Sequence, residues 1–454
     1  MYNVNVITLS KEHNMISNQI RKLVNSWQNA LININGVKRQ CEESIFRSLG
    51  SKPIKIITGF RRTGKSFLVR QLAKRVVESE LYKNSNVLYL NFENYNLTGI
   101  NTPNRLDEVY QMFKAEIASP GKMLLIFDEI QNVSDWDKFI RTIYEEDGEN
   151  IEIIITGSNS QLLSSELSSN LAGRFIEFFV LPFSFKEFLH YHDIKITSEN
   201  ELLKNHLDVT RHFAEFLEYG GLPEVFSIND KHAKFSYLRG ILSKVILDDI
   251  VERFNIKGSY IIEKIFYYMT LNIGNRVSFS KIASFLKDIN RDTTQESVIL
   301  YVQYIIRSFA LYEIQRFDWK MGRIFETSRK YYSVDTGIVN SFDNTVNNYS
   351  KILENIVYLE IKRRENQINF GALATGKEID FITKKRGEEF VKYQVTHELH
   401  EKNINRELSP FIMKGSHLET GDNILLSMND ENSEMDYKSI KIQQRDLIGW
   451  LLGL

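Results

Sequence analysis

The chain has 454 residues, of which 43% are apolar and 25% charged, with a formal net charge of −1 and one cysteine. This is the composition of a globular protein long enough for about three domains. The near-zero charge excludes an overall basic field for nucleic acid, so such a site can only be a local patch. A single cysteine, Cys41, excludes an intramolecular disulfide framework and a cysteine-rich zinc site. With no signal-peptide pattern and no apolar run of ~18 residues, we expect a cytoplasmic protein with no membrane contact.

Residues 10–48 have the spacing of an amphipathic helix, with Ile16, Ile20, Leu23 and Trp27 near one face. We predict that this stretch is largely helical. It is either a cap on the following domain or a partner-binding arm, and the sequence favours neither.

From about residue 49 to residue 190, short apolar runs alternate with amphipathic stretches, which is typical of a parallel α/β sheet. The predicted strands are 54–58, Val87–Phe92, Met123–Asp128 and Ile151–Thr156. Ligands bind at the carboxyl ends of parallel strands, so the polar residues after these strands are the candidates for chemistry.

The first strand leads into GFRRTGKS, which fits G-x-x-x-x-G-K-[ST], the phosphate-binding P-loop. Its glycines let the backbone turn tightly, and the helix that follows adds unpaired N–H groups. We predict that Lys65 reaches the β- and γ-phosphates of ATP and that the Ser66 hydroxyl binds Mg²⁺. Arg61 and Arg62 either neutralise phosphate charge or are solvated. The predicted nucleotide-binding residues are Gly59, Phe60, Arg61, Arg62, Thr63, Gly64, Lys65, Ser66, Phe67 and Ser158.

Two acids, Asp128 and Glu129, follow the apolar run LLIF about 60 residues after the P-loop, in the form of a Walker B motif. The apolar run predicts a buried strand beside the P-loop strand. We expect Asp128 to hold Mg²⁺ through water and Glu129 to polarise the attacking water.

The next predicted strand ends in TGSNS, between the two Walker strands. Ser158 or Asn159 is predicted to sense the γ-phosphate or orient the water. The alternative is a simple turn with a helix N-cap.

Arg174 follows a predicted helix in the sequence LAGR. It either stabilises transition-state charge or forms a structural salt bridge. The catalytic role would act within the chain or on a neighbouring subunit of a homo-oligomer.

The second half of the chain begins with a region, residues 183–257, that is predicted to be helical. Residues 258–340 are then predicted to form a winged helix. Its expected elements are the helices Tyr260–Leu271, Lys281–Leu286 and Gln295–Ser308 and the wing strands Ala310–Arg316 and Lys330–Val334. The expected wing cations are Lys320, Arg323, Arg329 and Lys330. DNA contact by this wing and protein docking both remain open.

The last block returns to an α/β pattern. Glu354 and Glu360 lie on a predicted helix, and Asp380 lies in the middle of a predicted strand. The run VKYQVT (391–396) predicts the next strand.

The motifs GFRRTGKS, LIFDEIQ, TGSNS, LAGRF and YGGLPEVF together resemble prokaryotic AAA-type ATP-binding proteins. These proteins carry an AAA-like P-loop ATPase domain, a winged helix and a C-terminal DUF4143-type domain similar to restriction endonucleases. The resemblance implies ATP and Mg²⁺ as cofactors. The implied segments are an N-terminal helical segment (1–48), a P-loop ATPase domain (49–190), a helical lid (191–257), a winged helix (258–340) and an endonuclease-like domain (341–454).

Restriction-endonuclease-like sites bind metal through a helix acid, a strand Asp and a (D/E)-x-K pair. Glu354 and Asp380 match the first two acids, but Gln394 and Thr396 replace the carboxylate and the lysine of the pair. Without these groups Mg²⁺ would be held weakly and water would lack its activator. We therefore expect a non-cleaving C-terminal domain.

The sequence as a whole predicts an α/β P-loop ATPase whose turnover drives a conformational switch on a protein or nucleic-acid partner. The alternatives are an ATP-gated DNA nuclease and a nucleotide-binding regulator that does not hydrolyse ATP. The predicted catalytic residues are Glu129, Lys65, Arg174 and Asn159, and the predicted metal ligands are Ser66 and Asp128.

Overall fold

The protein is described by a computed structural model that divides it into two units, Met1–Val180 and Leu181–Leu454. The described residues are 20–30, 33–160, 171, 173–256, 258–287, 293–318, 323–342, 349–365, 367–372, 377–384, 389–412, 420–429 and 432–454, with the backbone alone for 318 and 323–328. Among them, no helix is both long and apolar enough to cross a membrane.

The first unit alternates strands with helices. Its helices are α1 (20–30), α2 (Glu42–Ser48), α3 (Lys65–Glu78), α4 (Pro103–Glu116) and α5 (Trp136–Asp147), with 3-10 turns at Asn84–Asn86, Tyr95–Leu97 and Ile130–Asn132. Its strands are β1 (Ile54–Thr58), β2 (Val87–Asn91), β3 (Met123–Asp128), β4 (Ile151–Gly157) and β5 (Phe175–Phe179).

These five strands form one parallel sheet in the order β2-β3-β4-β1-β5. The prediction of a parallel α/β sheet is confirmed, and the four predicted strands are found. The fifth, β5, was not predicted, because it lies at the edge and is partly exposed, so it is not a fully buried apolar run. The prediction that the Walker B strand lies beside the P-loop strand is wrong, since β4 separates β3 from β1.

Two apolar layers cover the faces of this sheet. Inward residues of α4 and α5 pack on one face, and those of α3 pack on the other. Because every residue of β1, β3 and β4 is buried, the sheet is a rigid base for the loops at its carboxyl edge.

The N-terminal stretch is less helical than predicted. Residues 20–30 and 42–48 are helical, but residues 34–39, the strap, have no regular secondary structure, and the predicted part before residue 20 lies outside the described residues. The strap runs along α3, where Gln71 donates to the Gly36 carbonyl at 3.2 Å and Lys74 donates to the Ile34 carbonyl at 3.0 Å. These side chains satisfy backbone groups that a helix would satisfy internally.

The second unit begins with helices and continues into a mixed sheet. Its helices are α6 (Phe185–Tyr191), α7 (Glu199–Lys204), α8 (His206–Tyr219), α9 (Lys231–Lys244), α10 (Tyr260–Leu271), α11 (Phe279–Lys287), α12 (Gln295–Arg307), α13 (Thr336–Asn340), α14 (Tyr349–Arg364), α15 (Ile404–Leu408) and α16 (Leu447–Leu452). A π-helix, Val245–Glu252, continues α9, and 3-10 turns span Pro223–Ser227 and Ser409–Phe411.

The strands of the second unit are β6 (Leu311–Asp318), β7 (Arg323–Ser333), β8 (Ile368–Ala372), β9 (Glu378–Lys384), β10 (Phe390–Val395), β11 (Asp422–Ser427), β12 (Ser433–Tyr437) and β13 (Ile440–Asp446). They form one sheet in the order β12-β13-β11-β10-β9-β8-β6-β7. The predicted wing strands do pair, as the antiparallel hairpin β6–β7. Since β6 also pairs with β8, this sheet runs across residue 340, where a domain boundary was predicted.

Candidate nucleotide-binding site

The GFRRTGKS loop joins β1 to α3, as predicted. Gly59 has φ 152°, and a Cβ there would collide with the Val180 carbonyl oxygen. Gly64 takes the left-handed conformation, with φ 93°, just before the first residue of α3. Both positions therefore require glycine, and the loop ends at a helix N-terminus that can bind an anion.

Lys65 lies at the mouth of this loop. Its side chain is almost fully buried, and its Nζ donates to the carbonyl oxygens of Gly59 and Phe60, both at 3.0 Å. The same Nζ lies 3.6 Å from Oε1 of Glu129. The ammonium is thus held between the P-loop and the end of β3, where the phosphates of a bound nucleotide would lie.

Asp128 is the centre of a hydrogen-bond network at the carboxyl edge of the sheet. It accepts from the Ser66 hydroxyl at 3.1 Å, from the Tyr89 hydroxyl at 2.6 Å and from the Thr156 hydroxyl. Burial raises the pKa of Asp128, the charge of Glu129 raises it further, and the three hydroxyl donors oppose this rise. The carboxylate is therefore oriented by donors from the P-loop side, from β2 and from β4.

Glu129 has a left-handed backbone, with φ 54° and ψ 47°. Its N–H donates to the Thr156 hydroxyl at 3.0 Å, and its carboxylate accepts from Gln131. Left-handed backbone is uncommon for a residue with a side chain, and it recurs in the P-loop at Arg62, with φ 65°. The Thr156 hydroxyl thus supports both Walker acids, as donor to Asp128 and acceptor from Glu129.

The remaining predicted nucleotide contacts lie around the same edge. Ser158 and Asn159 follow β4 directly and are buried. Arg61 is half-buried, whereas Arg62 and Phe67 are exposed beside the loop. The P-loop follows β1 and the Walker acids lie at the end of β3, and β4 is the strand between them. Ser158 and Asn159 therefore follow the strand that lies between the two motifs.

The donor set fits a magnesium nucleotide. The Ser66 and Thr156 hydroxyls and the Asp128 carboxylate supply hard oxygen atoms, and Lys65 supplies a cation. Mg²⁺ in phosphate sites keeps several waters and takes one or two protein ligands. In the described parts of the chain, no group of three or more His, Cys, Asp or Glu side chains is arranged for a metal. A metal held at this edge would therefore depend on the nucleotide phosphates.

The AAA domain family matches residues 51–189, which include the P-loop and both Walker acids. An uncharacterized protein of Methanocaldococcus jannaschii is 32% identical over 387 residues, covering 84% of this chain and 83% of that protein. An uncharacterized protein of Haemophilus influenzae is 33% identical over 349 residues, covering 77% of this chain and 83% of that protein. The chain belongs to this family of AAA-domain proteins.

A solved structure also resembles the chain. The Walker-type ATPase of Pyrococcus abyssi aligns with a TM-score of 0.42 and 16% identity, over 68% of this chain and 99% of that one. In the second unit, a domain of unknown function, DUF8612, matches residues 210–349. This differs from the DUF4143 type that the resemblance implied.

Arg174 lies away from the P-loop end of the AAA domain. Its carbonyl accepts from the N–H of Ile54, the first residue of β1, and its guanidinium pairs with Glu145 at 3.0 Å. The P-loop leaves the opposite end of β1, after Thr58. The structure therefore does not bring Arg174 to the nucleotide site of its own chain, and a role on a neighbouring subunit stays a prediction.

Three residues of the AAA-domain site were not predicted. Tyr89 and Thr156 lie within apolar strands, where they read as ordinary strand residues. Arg39 lies in the strap that was predicted to be helical, and its buried guanidinium donates to the Thr63 carbonyl at 2.7 Å. The one signal for Thr156 was its place at the carboxyl end of a strand, where ligands bind.

Proposed function

We propose that the chain hydrolyses ATP at the P-loop with Mg²⁺, and that turnover drives a conformational change acting on a protein or nucleic-acid partner. The observation that carries this proposal is the network around Asp128, which joins Ser66, Tyr89 and Thr156 at the carboxyl edge of the sheet. A site that only bound nucleotide would not need a second oriented acid, Glu129, beside this network.

Each residue has a distinct role in this reaction. Lys65 exchanges its contacts with loop carbonyls for phosphate oxygens. Ser66 and Asp128 would hold Mg²⁺, Asp128 through water, and the metal would supply positive charge that neutralises the phosphates. Glu129 orients and polarises the attacking water, while Asn159 or Ser158 senses the γ-phosphate.

Arg174 would act on the nucleotide site of a neighbouring subunit. The Glu145–Arg174 pair is partly exposed, with 46% and 34% of the two side chains accessible. An exposed ion pair of this kind is worth little, so Arg174 can exchange Glu145 for a phosphate on a second copy of the chain. Specific ATPase activity should then rise with protein concentration, and constant specific activity on dilution would remove this role.

We infer that the region from α10 to β7 is a winged helix. Three helices followed by an antiparallel hairpin support this inference, as does an isolated antiparallel bridge between Arg276 and Lys330. A basic DNA-binding wing has weak support, since Arg329 pairs with Glu313 at 3.0 Å and Lys330 is buried. Of the other expected wing cations, Lys320 lies outside the described residues and Arg323 is described by its backbone alone.

We also infer that the C-terminal sheet is restriction-endonuclease-like but does not cleave. Glu354 on α14 and Asp380 on β9 both lie near the Lys330 ammonium, at 3.6 Å and 4.0 Å. The two acids are therefore close together, as the two retained acids of such a site would be. Gln394, which replaces the carboxylate of the (D/E)-x-K pair, makes other contacts. The Gln394 amide donates to Glu407 at 3.3 Å and accepts from the Asp380 N–H at 3.4 Å.

The decisive experiment is an ATPase assay on the full chain, with and without DNA, run beside ATP-binding measurements. We expect Glu129→Gln to lower turnover by roughly 100-fold while ATP still binds, because only the water-polarising carboxylate is lost. Lys65→Ala should abolish ATP binding. The matched control is Glu108→Gln, a carboxylate of the same unit that pairs with Arg105 on the surface.

Each result of this assay selects one function. Turnover that Glu129→Gln leaves unchanged, with ATP binding lost in Lys65→Ala, would show a non-hydrolysing regulator. Stimulation by DNA identifies a nucleic-acid partner, and its absence points to a protein partner. Metal-dependent DNA cleavage that disappears in Asp380→Ala would establish the ATP-gated nuclease instead.

A further inference from the structure

Lys330 is a buried cation among three carboxylates. It lies on β7 with 1% of its surface exposed. Its Nζ lies 2.9 Å from Glu378, 3.6 Å from Glu354 and 4.0 Å from Asp380. One ammonium thus joins the hairpin to both α14 and β9.

Two further cations complete this cluster. Lys351 Nζ lies 2.8 Å from Glu354 Oε2, and Arg276 Nε lies 2.6 Å from Glu378 Oε1. Together with Lys330 there are three cations for the three carboxylates, so the formal charge is zero. Burying a divalent cation here would add charge without a counter-charge, which is strongly unfavourable.

Two of the oxygen atoms that could bind a metal already accept hydrogen bonds within the protein. The Tyr332 hydroxyl donates to Glu354 Oε1 at 2.7 Å, and the Val395 N–H donates to Asp380 Oδ2 at 2.9 Å. The turn after α10 covers the cluster, since a Cβ on Gly274 would lie 2.7 Å from Glu354 Oε1. A metal would have to displace these donors and this turn.

The protonation states agree with this geometry. Burial would lower the pKa of Lys330, but Glu354, Asp380 and Glu378 outweigh burial and hold it above its ordinary value. Burial and the neighbouring charge of Glu354 raise the pKa of Asp380 to about 7. Near neutral pH the cluster therefore carries between zero and one positive charge, and it has no excess negative charge to attract a metal.

We propose that Lys330 occupies the place of the divalent cation of a restriction-endonuclease-like sheet, so that this cluster is a permanent, metal-free ion lock. The lock fastens the β6–β7 hairpin to α14 and β9. It rests on the proposed endonuclease-like sheet and does not depend on the ATPase. Because Lys330 is covalently part of the chain, the charge that stabilises these acids cannot be removed by a chelator, unlike a bound metal.

Mn²⁺ binding to the full-length protein without nucleotide, measured by electron paramagnetic resonance, tests the lock directly. Wild type and Asp380→Asn should bind equal amounts of Mn²⁺, since this carboxylate holds none. Lys330→Met should gain one Mn²⁺ site, because three carboxylates then lose their central cation, and the double variant Lys330→Met/Asp380→Asn should lose that site again.

The matched control is Lys392→Met, which removes another buried lysine from β10 of the same sheet. It should leave Mn²⁺ binding unchanged. An equal gain in this control would mean that metal binds through general loosening of the sheet, and it would overturn the assignment. Binding in wild type that Asp380→Asn removes would also overturn the lock and show a metal site.

That comparison between wild type and Asp380→Asn decides the question even if Lys330→Met does not fold. Thermal unfolding gives a second measurement. Wild type should unfold at the same temperature with and without EDTA, whereas a metal-held cluster would lose stability with the chelator. Neither readout uses ATP turnover, so failure of the lock and failure of the proposed ATPase are distinguishable.

Discussion

The hydroxyl of Tyr89 donates a hydrogen bond of 2.6 Å to the carboxylate of Asp128, from the neighbouring strand of the same sheet. Burial and the charge of Asp128 raise the pKa of Tyr89 well above its ordinary value, so this hydroxyl remains a donor at all relevant pH values. The bond opposes the rise that burial causes in the pKa of Asp128. Tyr89 therefore favours the ionised Asp128 that a magnesium nucleotide requires.

Removing the Tyr89 hydroxyl should slow the hydrolysis of magnesium-bound ATP. We expect Tyr89→Phe to lower kcat/KM for ATP hydrolysis by roughly 10- to 150-fold, since a hydrogen bond to a charged group contributes roughly 1.5–3 kcal/mol. The magnesium concentration for half-maximal activity should rise as well. Tyr110→Phe is the control, because its hydroxyl donates to a different carboxylate, Asp147, at 2.8 Å. A similar loss in both variants would mean that Tyr89 acts through stability alone.

ATP hydrolysis should depend on the hydroxyl of Thr156 and not on its methyl group. Thr156→Val keeps the side-chain shape but removes the donor to Asp128 and the acceptor for the Glu129 N–H. With about 1–2 kcal/mol for each of the two bonds, turnover should fall roughly 30- to 900-fold. Thr156→Ser should retain most of the activity. Steady-state ATPase assays of the two variants test this, and equal activities would contradict it.

Asp335 is a buried carboxylate at the start of α13, and it should make stability depend on pH. It accepts from the Gly221 N–H at 2.7 Å and from the Ile338 N–H at 3.2 Å. Burial outweighs these donors and raises the pKa of Asp335 to about 6, from 3.8. The folded state therefore binds more protons than the unfolded state between these pH values, and stability falls as pH rises through this range.

The size of this effect is up to about 3 kcal/mol, at roughly 1.4 kcal/mol for each unit of pKa. We expect the unfolding temperature of wild type to fall more steeply from pH 4.5 to pH 7 than that of Asp335→Asn, which cannot ionise. Scanning calorimetry of both proteins across this range provides the measurement. Parallel curves would show that Asp335 does not titrate in the folded protein.

Gly220 should not tolerate a side chain, because it packs against the same carboxylate. It has φ 77°, and a Cβ there would collide with Asp335. Gly258 is a matched control with φ 90° and nothing within 4 Å of an added Cβ. Both alanine variants carry backbone strain, so the collision should cost Gly220→Ala a further 1–3 kcal/mol or so. Equal unfolding temperatures of the two variants would contradict this account.

Local patterns were the most reliable part of the sequence-based interpretation. The P-loop, Asp128 and Glu129 depend on residue types at short fixed spacings, and each lies where predicted at the carboxyl edge of a parallel sheet. Strand β3 was recognised because it is an apolar run bounded by polar residues. The strap at residues 34–39 was predicted as helix but is not helical. Its tertiary contacts with α3 override the local helical preference.

The sequence by itself determined the AAA-domain class, the P-loop and the Walker acids, because these depend on glycine conformation and on charge at the ends of buried strands. The sequence predicted both that the TGSNS strand lies between the two Walker strands and that the Walker B strand lies beside the P-loop strand, and the tertiary structure decided for the first, with β4 between β3 and β1. Only the tertiary structure decided that Tyr89 and Thr156 reach Asp128 and that Lys330 reaches Glu354. These partners lie 39, 28 and 24 residues apart in the chain, and strand order and helix packing bring them together, which no local pattern records.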